Sequence, residues 1–495
     1  MKRKIALLLI AAMIGSSLSG CSNSEAAGDA KEAEATNTAD SANETESANA
    51  TEAASAADGQ EADKDVEWFG TEDGETVTIR VWGGVQPEYG YDELISNFNE
   101  EYADKGVQAE YVRFVNDSSG NMQLETYLMG GGEVDVFMGY KNTTFHTRVD
   151  SNLVLNITDR LEEYGFDLEK ELGKVNASSF YFDDNQVYGF PTKYENNRWM
   201  MVNVDMFEEA GVEVPYDGWT YDEFLSAMEK LTKGEGQDKV YGVCWALKQT
   251  FAAAKGLVGS VLGEKDTYKD ETATQVNYDD PIWKDGLEMI KTSIDNGWAI
   301  PYEDEVSESM TVANTFLEEK CAATLCISQM RLVMDSVEYP HDFKTALVPG
   351  PVPSEEYMTD EYKYHSNMPG DGDIIAIAAN TEYPDAAFEF MMWYVTGGMA
   401  PLAKGGRIPL WNGIDQDNVV AMVMENAGDT IDEQSLRNYL SIDKTQTAKK
   451  PISDKGSEVD TVFKEEVEAF LYSQQSVDEA IANIVSRSNE ILQQK

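Results

Sequence analysis

Strand-like and helix-like patterns alternate from Thr76 to the C-terminus, and this alternation constrains the fold more than any other feature of the sequence. Polar and apolar residues alternate over residues 77–82, which indicates a strand, and Leu94, Phe98 and Tyr102 then mark one face of a helix. Further strand patterns lie at residues 107–115, 134–138, 199–203, 240–243, 322–327 and 374–379. We therefore predict an α/β protein whose mostly parallel sheets are flanked by helices, with ligands bound beyond the carboxyl ends of the strands.

The length of this alternating region favours two lobes over one. It runs for roughly 420 residues, and chains longer than about 250–300 residues usually divide into separate cores. A cleft between two lobes is then the default ligand site. Some helix boundaries are also predictable: Thr220 and Glu223 form a capping-box pattern, and Asp280 before Pro281 supplies an N-cap for a helix that Gly297 ends.

The N-terminus has the features of a secretory signal. Lys2, Arg3 and Lys4 precede an apolar run over residues 5–14, which is about half the length of a membrane span. Leu18-Ser19-Gly20-Cys21 resembles the lipobox of bacterial lipoproteins. That resemblance implies a signal peptide over residues 1–20 and a lipid on Cys21, which becomes the mature N-terminus. An ordinary signal peptide cut elsewhere is the alternative.

Residues 21–67 form a predicted linker between this anchor and the α/β region. Residues 22–65 contain no aromatic side chain and are rich in Ala, Glu, Thr, Ser, Asn and Asp. Such a composition cannot bury enough apolar surface to offset the entropy of ordering the chain. We predict a disordered acidic tether that reaches on the order of 150 Å when fully stretched, at roughly 3.3–3.6 Å per residue.

The charge of the chain excludes nucleic acid as a partner. Lys and Arg together number 38 against 90 for Asp and Glu, which gives a net charge of −52. Phosphate backbones are bound by clustered cations, and this chain has a large excess of the opposite sign.

The cysteines do not indicate a disulfide framework. Lipidation of Cys21 would leave Cys244, Cys321 and Cys326, an odd number. Cys321 and Cys326 flank a predicted buried strand, where a thiol commonly packs as a small apolar group, and a structural disulfide is the alternative. No CxxC pair is present, so a cysteine-based zinc site is not expected.

The motifs of common catalytic sites are missing from the sequence. Its three histidines, His146, His341 and His365, form no HExxH motif, and no GxSxG sequence occurs. The glycines at 130–132 are not followed by Lys-Ser or Lys-Thr, which argues against a phosphate-binding loop. Paired carboxylates of a glycosidase cannot be judged by counting, because 90 acids make chance pairs abundant. We expect a protein that is not an enzyme and that needs no cofactor or metal.

Four aromatic residues follow predicted strands or glycine-rich loops. They are Trp82, Tyr140, Trp245 and Trp411. Sugar rings present apolar C–H faces that pack on flat aromatic rings, while sugar hydroxyls need carboxylate, amide or guanidinium partners. These four positions therefore favour a carbohydrate ligand, and packing of each ring against its own loop is the alternative.

Several segments in a fixed order resemble the family 1 extracellular solute-binding proteins, the sugar-capturing subunits of bacterial ABC importers, which include maltose-binding protein. The segments are VTIRVWGG (77–84), ELISNFNEEY (93–102), GGEVDVFMGY (131–140), VYGFP (187–191), MMVNVDMFEEAGV (200–212), WTYDEFLSAMEKLT (219–232) and PLAKGGRIPLW (401–411). The resemblance runs from about Thr76 to the C-terminus. Each segment on its own matches the family pattern only weakly. The resemblance depends on the order and spacing of all the segments together.

The resemblance implies a two-lobed clamshell that closes on its ligand. One lobe would comprise residues 76–194 and 349–398, and the other residues 195–348 and 399–495. Glu195 would lie at the first crossover and contact the sugar, with a solvated hinge charge as the alternative. Asp371-Gly372-Asp373 comes directly before the predicted strand at Ile374 and resembles a Gly-Gly-Asp-like segment that leads to the site in many relatives. A plain turn is the alternative. With Arg407, these three acids would hydrogen-bond sugar hydroxyls, while the four aromatic residues stack on the ring.

One segment departs from the family pattern. Relatives commonly carry Gly-x-Trp after the strand that returns to the cleft, whereas this chain has Ser328-Gln329-Met330-Arg331. Met330 lacks the flat face of an indole, although its thioether can pack on a ring. Gln329 or Arg331 would instead offer hydrogen bonds. This departure bears on the identity of the ligand more than on the family.

Taken with the anchor, the resemblance implies a monomeric receptor on the outer face of the bacterial cell membrane. It would capture a carbohydrate, expected to be an oligosaccharide, and deliver it to the permease subunits of an ABC transporter. The alternatives are an anchored glycan-degrading enzyme, an adhesin and a binder of a non-sugar solute such as a peptide.

Overall fold

The computed structural model describes residues 68–131, 133–140, 142–173, 176–177, 180–194, 198–247, 255–325, 330–335, 338–358, 373–441, 451, 453 and 455–494. Its strands are β1 (Val77–Gly83), β2 (Val107–Arg113), β3 (Val136–Gly139), β4 (Gly189–Pro191), β5 (Lys193–Tyr194), β6 (Trp199–Asn203), β7 (Tyr241–Cys244), β8 (Cys321–Thr324), β9 (Thr345–Pro349), β10 (Ile374–Ile377) and β11 (Ile408–Pro409).

The α-helices are numbered in chain order. They are α1 (Tyr91–Glu101), α2 (Ser118–Gly130), α3 (Asn142–Asp150), α4 (Thr158–Tyr164), α5 (Leu168–Leu172), α6 (Val204–Ala210), α7 (Tyr221–Leu231), α8 (Pro281–Asp295), α9 (Tyr302–Ser307), α10 (Met330–Met334), α11 (Pro384–Trp393), α12 (Gln416–Ala427), α13 (Glu433–Leu440), α14 (Gly456–Leu471) and α15 (Val477–Leu492). Short 3₁₀ turns include Pro87–Tyr89 and Ala400–Gly405.

The first sheet has the strand order β2-β1-β3-β10-β4. Strand β1 pairs in parallel with β2 and β3, whereas β10 runs antiparallel to its neighbours β3 and β4. Helices pack on it, and Ile79, Val81 and Phe137 have no exposed surface. The inner strands β3 and β10 are apolar along their whole length, as expected where both faces of a sheet are covered, whereas the edge strand β2 alternates buried and exposed residues.

The second sheet has the order β7-β8-β6-β9. Strands β7 and β8 are parallel, and β6 runs antiparallel between β8 and β9. Each sheet thus contains one reversed strand among parallel ones, so the predicted α/β fold with mostly parallel sheets is confirmed. A short antiparallel ribbon of β5 and β11 pairs Tyr194 with Ile408.

The predicted helix boundaries are confirmed where the sequence carried capping signals. Helix α7 begins after Thr220, whose side chain accepts from the backbone of Glu223 while the Glu223 carboxylate accepts from the backbone of Thr220. Helix α8 begins at Pro281 with Asp280 as its N-cap. These bonds satisfy backbone N–H groups that a helix otherwise leaves without partners at its start.

Beyond the second sheet, the C-terminal helices pack in two places. Helices α14 and α15 pair with each other and contribute Phe463 and Ile484 to the core that surrounds the second sheet. Helix α12 instead buries Val423 in the core of the first sheet and packs on the turn Ala400–Gly405, which also contacts α1. The division into lobes by residue range stays a prediction. None of the helices in the described residues is both long enough and apolar enough to span a membrane.

Two cysteines lie on the neighbouring strands β7 and β8. Cys244 and Cys321 are buried free thiols. A hydrogen bond with Cys321, together with burial, raises the pKa of Cys244, so this thiol stays protonated. Cys326, the third cysteine of the predicted mature domain, lies outside the described residues.

Candidate functional site

Several polar residues meet at one edge of the first sheet. Strands β1, β3 and β4 end at this edge, and the reversed strand β10 begins there. Tyr140 follows β3, Thr192 follows β4, and Asp373 precedes β10. Carboxyl ends of parallel strands are where α/β folds place their ligands, so this edge is the candidate site.

Arg407 and Asp373 form an ion pair at the candidate site. Nε of Arg407 lies 2.7 Å from Oδ2 of Asp373, and the two side chains are 21% and 9% exposed. The backbone carbonyl of Asp373 accepts from both N–H and Oγ1 of Thr192, each at 2.8 Å. Burial alone would lower the pKa of Arg407, but the Asp373 carboxylate, together with Tyr140 and Tyr91, outweighs burial and raises that pKa above its ordinary value. The guanidinium is therefore a permanent, partly reachable cation.

Three tyrosines hold the strand ends at this edge: Tyr91 is buried, and Tyr111 and Tyr140 are partly buried. The hydroxyl of Tyr140 accepts from the backbone N–H of Gly84 at 2.5 Å. The hydroxyl of Tyr111 donates to the carbonyl of Val85 at 2.7 Å, and its ring stacks on Tyr91 with centroids 4.1 Å apart. Burial raises the pKa of Tyr140 well above its ordinary value, so the tyrosine stays neutral and acts as a hydrogen-bonding group.

Trp411 lies just beyond β11 and is partly exposed. Its indole N–H donates to Oε2 of Glu171 at 2.8 Å, and the backbone N–H of Asn412 donates to the Glu171 carbonyl at 2.9 Å. The side chain of Lys170 and then the indole N–H lower the pKa of Glu171 through hydrogen bonds, so Glu171 stays ionised and fixes the indole. A fixed, partly exposed ring can offer its face to a ligand.

Two of the predicted stacking residues are instead part of the core. Trp82 is 3% exposed, its indole N–H donates to the carbonyl of Glu133 at 2.6 Å, and its ring packs on Tyr127. Trp245 is wholly buried and donates to Oγ of Ser293 at 2.9 Å. The prediction that these two rings face a ligand is therefore withdrawn. Both sheets are covered by helices, so a residue at a strand end faces a helix layer as readily as a cleft.

Other predicted positions cannot be compared with the structure. Glu195, Asp371 and Cys21 lie outside the described residues, as do Ser328 and Gln329 of the segment that departs from the family pattern. Met330 is described and is 4% exposed, which places its thioether in the core.

A further cluster joins the two sheets' loops and was not predicted as a unit. Tyr89, which follows β1, donates through its hydroxyl to Oδ2 of Asp335 and accepts from Nη1 of Arg331, both at 3.0 Å. The Arg331 guanidinium also lies over the Tyr89 ring, 5.1 Å from its centroid. Sequence reasoning noted Arg331 as a hydrogen-bond donor but had no signal for Tyr89, because the two are 242 positions apart. Gly406, next to Arg407, packs against the backbone of Arg331, so this cluster borders the candidate site.

The side chains of the site are suited to holding a ligand. A guanidinium, a carboxylate, a tyrosine and an indole can donate, accept and stack. Among the described residues, no group of three or more His, Cys, Asp or Glu side chains could hold a metal ion.

Comparisons with known proteins agree with this description. The model of the bacterial extracellular solute-binding protein family matches residues 82–398. No curated protein matches the chain. A sugar transporter from Rhizobium etli, solved in an open conformation, is similar to it with 17% identity and a TM-score of 0.63, covering 84% of this chain and 99% of that one.

Two further solved structures share the fold. The ABC substrate-binding protein from Listeria monocytogenes in complex with cycloalternan has 16% identity and a TM-score of 0.60, over 85% of this chain and 100% of that one. The cyclic alpha-maltosyl-1,6-maltose binding protein from Arthrobacter globiformis has 18% identity and a TM-score of 0.58, over 84% and 99%. At such low identity these likenesses show the two-lobed fold alone.

Proposed function

The chain belongs to the bacterial extracellular solute-binding protein family, and on that premise we propose that it captures an oligosaccharide outside the cell for an ABC importer. The receptor is held at the outer face of the membrane by a lipid on Cys21. It hands the sugar to the permease subunits and performs no reaction itself.

The observation that carries the proposal is the pairing of Arg407 with Asp373, four positions along the chain from Trp411. Among the described residues, Asp373 accepts only one of the five guanidinium N–H groups, and Arg407 remains 21% exposed. A guanidinium fixed by a carboxylate can donate to sugar hydroxyls, and the indole held by Glu171 can pack on the C–H face of a sugar ring. The guanidinium charge is largely balanced by Asp373, which suits a neutral ligand.

Closure of the two lobes would couple sugar binding to transport. A ligand shifts an open–closed equilibrium only by the difference in its affinity for the two states. The contact of Tyr89 with Arg331 and Asp335 joins loops that follow strands of the two sheets, so it would add to the stability of a closed state even without sugar. Sugar bound at Arg407 would add contacts to both lobes and shift the equilibrium further.

A thermal-shift panel tests the class of ligand. The panel contains cycloalternan, cyclic α-maltosyl-1,6-maltose, maltotriose, an oligopeptide and a phosphorylated sugar. A sugar at 100 times its dissociation constant is expected to add about 2.7 kcal/mol to the free energy of unfolding. Stabilisation by the peptide or the phosphorylated sugar, with none from the neutral sugars, would refute the proposal.

The same incubations test for an enzyme. Chromatography after a day with each neutral sugar is expected to return the sugar intact. Shortened products that disappear when one carboxylate, such as Asp373, is replaced by its amide would show a glycan-degrading enzyme instead.

A further inference from the structure

Tyr394 lies at the end of helix α11 and is wholly buried in the core of the first sheet. The helix ends there in a wide π-turn, in which the carbonyl of Tyr394 accepts from the N–H of Met399, five residues on, at 2.9 Å. Gly397 within the turn has a φ of +142°, which glycine adopts far more readily than other residues. Single π-turns occur frequently at functional sites, and this one carries a buried tyrosine hydroxyl.

The Tyr394 hydroxyl lies among the groups that hold the candidate site. It is 3.5 Å from the hydroxyl of Tyr91, which is 303 positions away in the sequence. Burial raises the pKa of Tyr394 above its ordinary value, and the hydroxyl therefore keeps its proton. Hydrogen bonds with Tyr91 and Thr192 act against this rise, and so does the charge of Arg407. Tyr394 is thus a neutral hydrogen-bonding group within electrostatic reach of the ion pair.

Thr192 connects Tyr394 with the ion pair. The Thr192 hydroxyl donates its single proton to the carbonyl of Asp373 at 2.8 Å, and the Thr192 backbone N–H donates to the same carbonyl. Because that proton is used, the Thr192 oxygen acts as an acceptor toward Tyr394. The Asp373 carboxylate in turn accepts from Nε of Arg407 at 2.7 Å. A continuous series of contacts therefore runs from the Tyr394 hydroxyl to the guanidinium.

We propose that Tyr394 is a positioning residue that acts through Thr192 to orient Arg407 toward the ligand. This inference rests on the proposed function and adds to it a residue that does not touch the sugar. A guanidinium donates in a rigid planar fork, so a small rotation of its carboxylate partner misdirects its remaining N–H groups. A donor that is already held in its bound orientation also loses less freedom when the ligand arrives, which favours affinity.

The NMR signal of the Arg407 Nε–H group tests the positioning without a ligand. The full-length chain is labelled with ¹⁵N-arginine, and the signal is identified by its loss in Arg407→Met. Tyr394→Phe removes only a hydroxyl, so exchange of this N–H with water should become roughly 2–12-fold faster, as expected for the loss of one hydrogen bond. Tyr221→Phe is the matched control and should leave the exchange unchanged, because this buried hydroxyl has no hydrogen-bond partner among the described residues.

A double-mutant cycle tests the effect on binding, with the sugar that stabilises the chain most in the thermal-shift panel. Tyr394→Phe should raise the dissociation constant roughly 2–12-fold, and Tyr221→Phe should leave it unchanged. If Tyr394 acts through Arg407, the substitution should change the dissociation constant by less than about 1.5-fold in an Arg407→Met background. In a Trp411→Ala background it should keep its full effect, because Trp411 is held separately by Glu171.

Three results would overturn the positioning role. They are an unchanged exchange rate in Tyr394→Phe, an unchanged dissociation constant despite faster exchange, and an equal loss of affinity with and without Arg407. Each would leave Tyr394 as a packing residue of the core. Failure of the proposed function is recognised separately, because no sugar of the panel would then bind. In that case the exchange rate still decides whether Tyr394 holds Arg407.

Discussion

The corresponding edges of the two sheets hold different chemistry. At the first, Arg407 is paired with Asp373 and partly exposed, and its pKa is raised because Asp373, Tyr140 and Tyr91 together outweigh burial. At the second, Arg198 precedes β6, is wholly buried and donates to the carbonyl of Gly350 at 3.1 Å. Burial lowers the pKa of Arg198 to about 10. Trp245, which follows β7 at the same edge, is also wholly buried.

The difference shows that a residue's position at the end of a strand does not determine whether it binds a ligand or stabilises the fold. Arg407 is paired with a carboxylate and is still partly exposed, so it can hydrogen-bond to a ligand. Arg198 is wholly buried at the second edge, so it can only hold the neighbouring backbone in place. The two edges therefore make opposite predictions for substitution. Changes at the first should weaken sugar binding, and changes at the second should weaken the fold.

The largest effect is expected at the second edge. Trp245→Ala should lower the free energy of unfolding by about 3–5 kcal/mol, because it leaves a cavity between the second sheet and the helices and removes the bond to Ser293. Denaturant unfolding measures this loss. Calorimetry on the remaining folded protein should give a sugar affinity within twofold of the wild type. An affinity loss above tenfold with unchanged stability would place Trp245 in the binding site after all.

Arg407→Met should have the next largest effect, on binding. A hydrogen bond to a charged group contributes about 1.5–3 kcal/mol, so the dissociation constant for the sugar should rise roughly 10–150-fold. The variant also leaves Asp373 buried without its cation and should lose stability. The double variant Arg407→Met with Asp373→Leu separates the two effects. It should recover stability and still bind weakly, and recovery of binding would exclude Arg407 as a ligand contact.

Trp411→Ala should weaken binding by less. Stacking of an aromatic ring contributes about 0.5–1.5 kcal/mol beyond burial, which corresponds to a 2–12-fold rise in the dissociation constant. Trp393→Ala is the matched control, because Trp393 is also partly buried and donates its indole N–H to a carboxylate, Oε2 of Glu101 at 2.7 Å. Trp393 packs on α1 through Phe98 and should not affect binding. Equal losses in both variants would mean that Trp411 acts only through packing.

The smallest effect concerns the cluster that joins the two edges. Burial raises the pKa of Tyr89 to about 12; Arg331 acts against this rise, and the bond to Asp335 adds to it. Since the unfolded pKa is about 10, Tyr89 favours the folded state below pH 10, and this contribution is lost as the pH rises to 12. Tyr89→Phe should therefore unfold with a shallower pH dependence between 10 and 12. If the variant shows the same pH dependence of the unfolding free energy as the wild type, the Tyr89 hydroxyl does not stabilise the contact with Arg331 and Asp335.

Much of the fold could be predicted from the sequence because its signals are local. Capping residues such as Thr220 and Asp280 act within three positions, and strand periodicity is read over a few residues. The candidate site depends on contacts between distant segments. Arg407 meets Asp373 across 34 positions, and Arg331 meets Tyr89 across 242. The motifs pointed to Arg407 and Asp373, but no local pattern distinguishes Trp245, sealed by helices, from Trp411, held at the surface by Glu171.

Strand β10 lies between β3 and β4, although β6 to β9 of the other sheet come before it in the sequence. Because a polypeptide is made from its N-terminus, the first sheet has a missing inner strand until residues 374–377 have been synthesised. All the strands of the second sheet exist by then. The edge that carries Tyr140, Asp373 and Arg407 is thus among the last parts that can be completed. No single cut between strands yields two whole sheets, and a product that ends before residue 374 lacks the inner strand and therefore this edge.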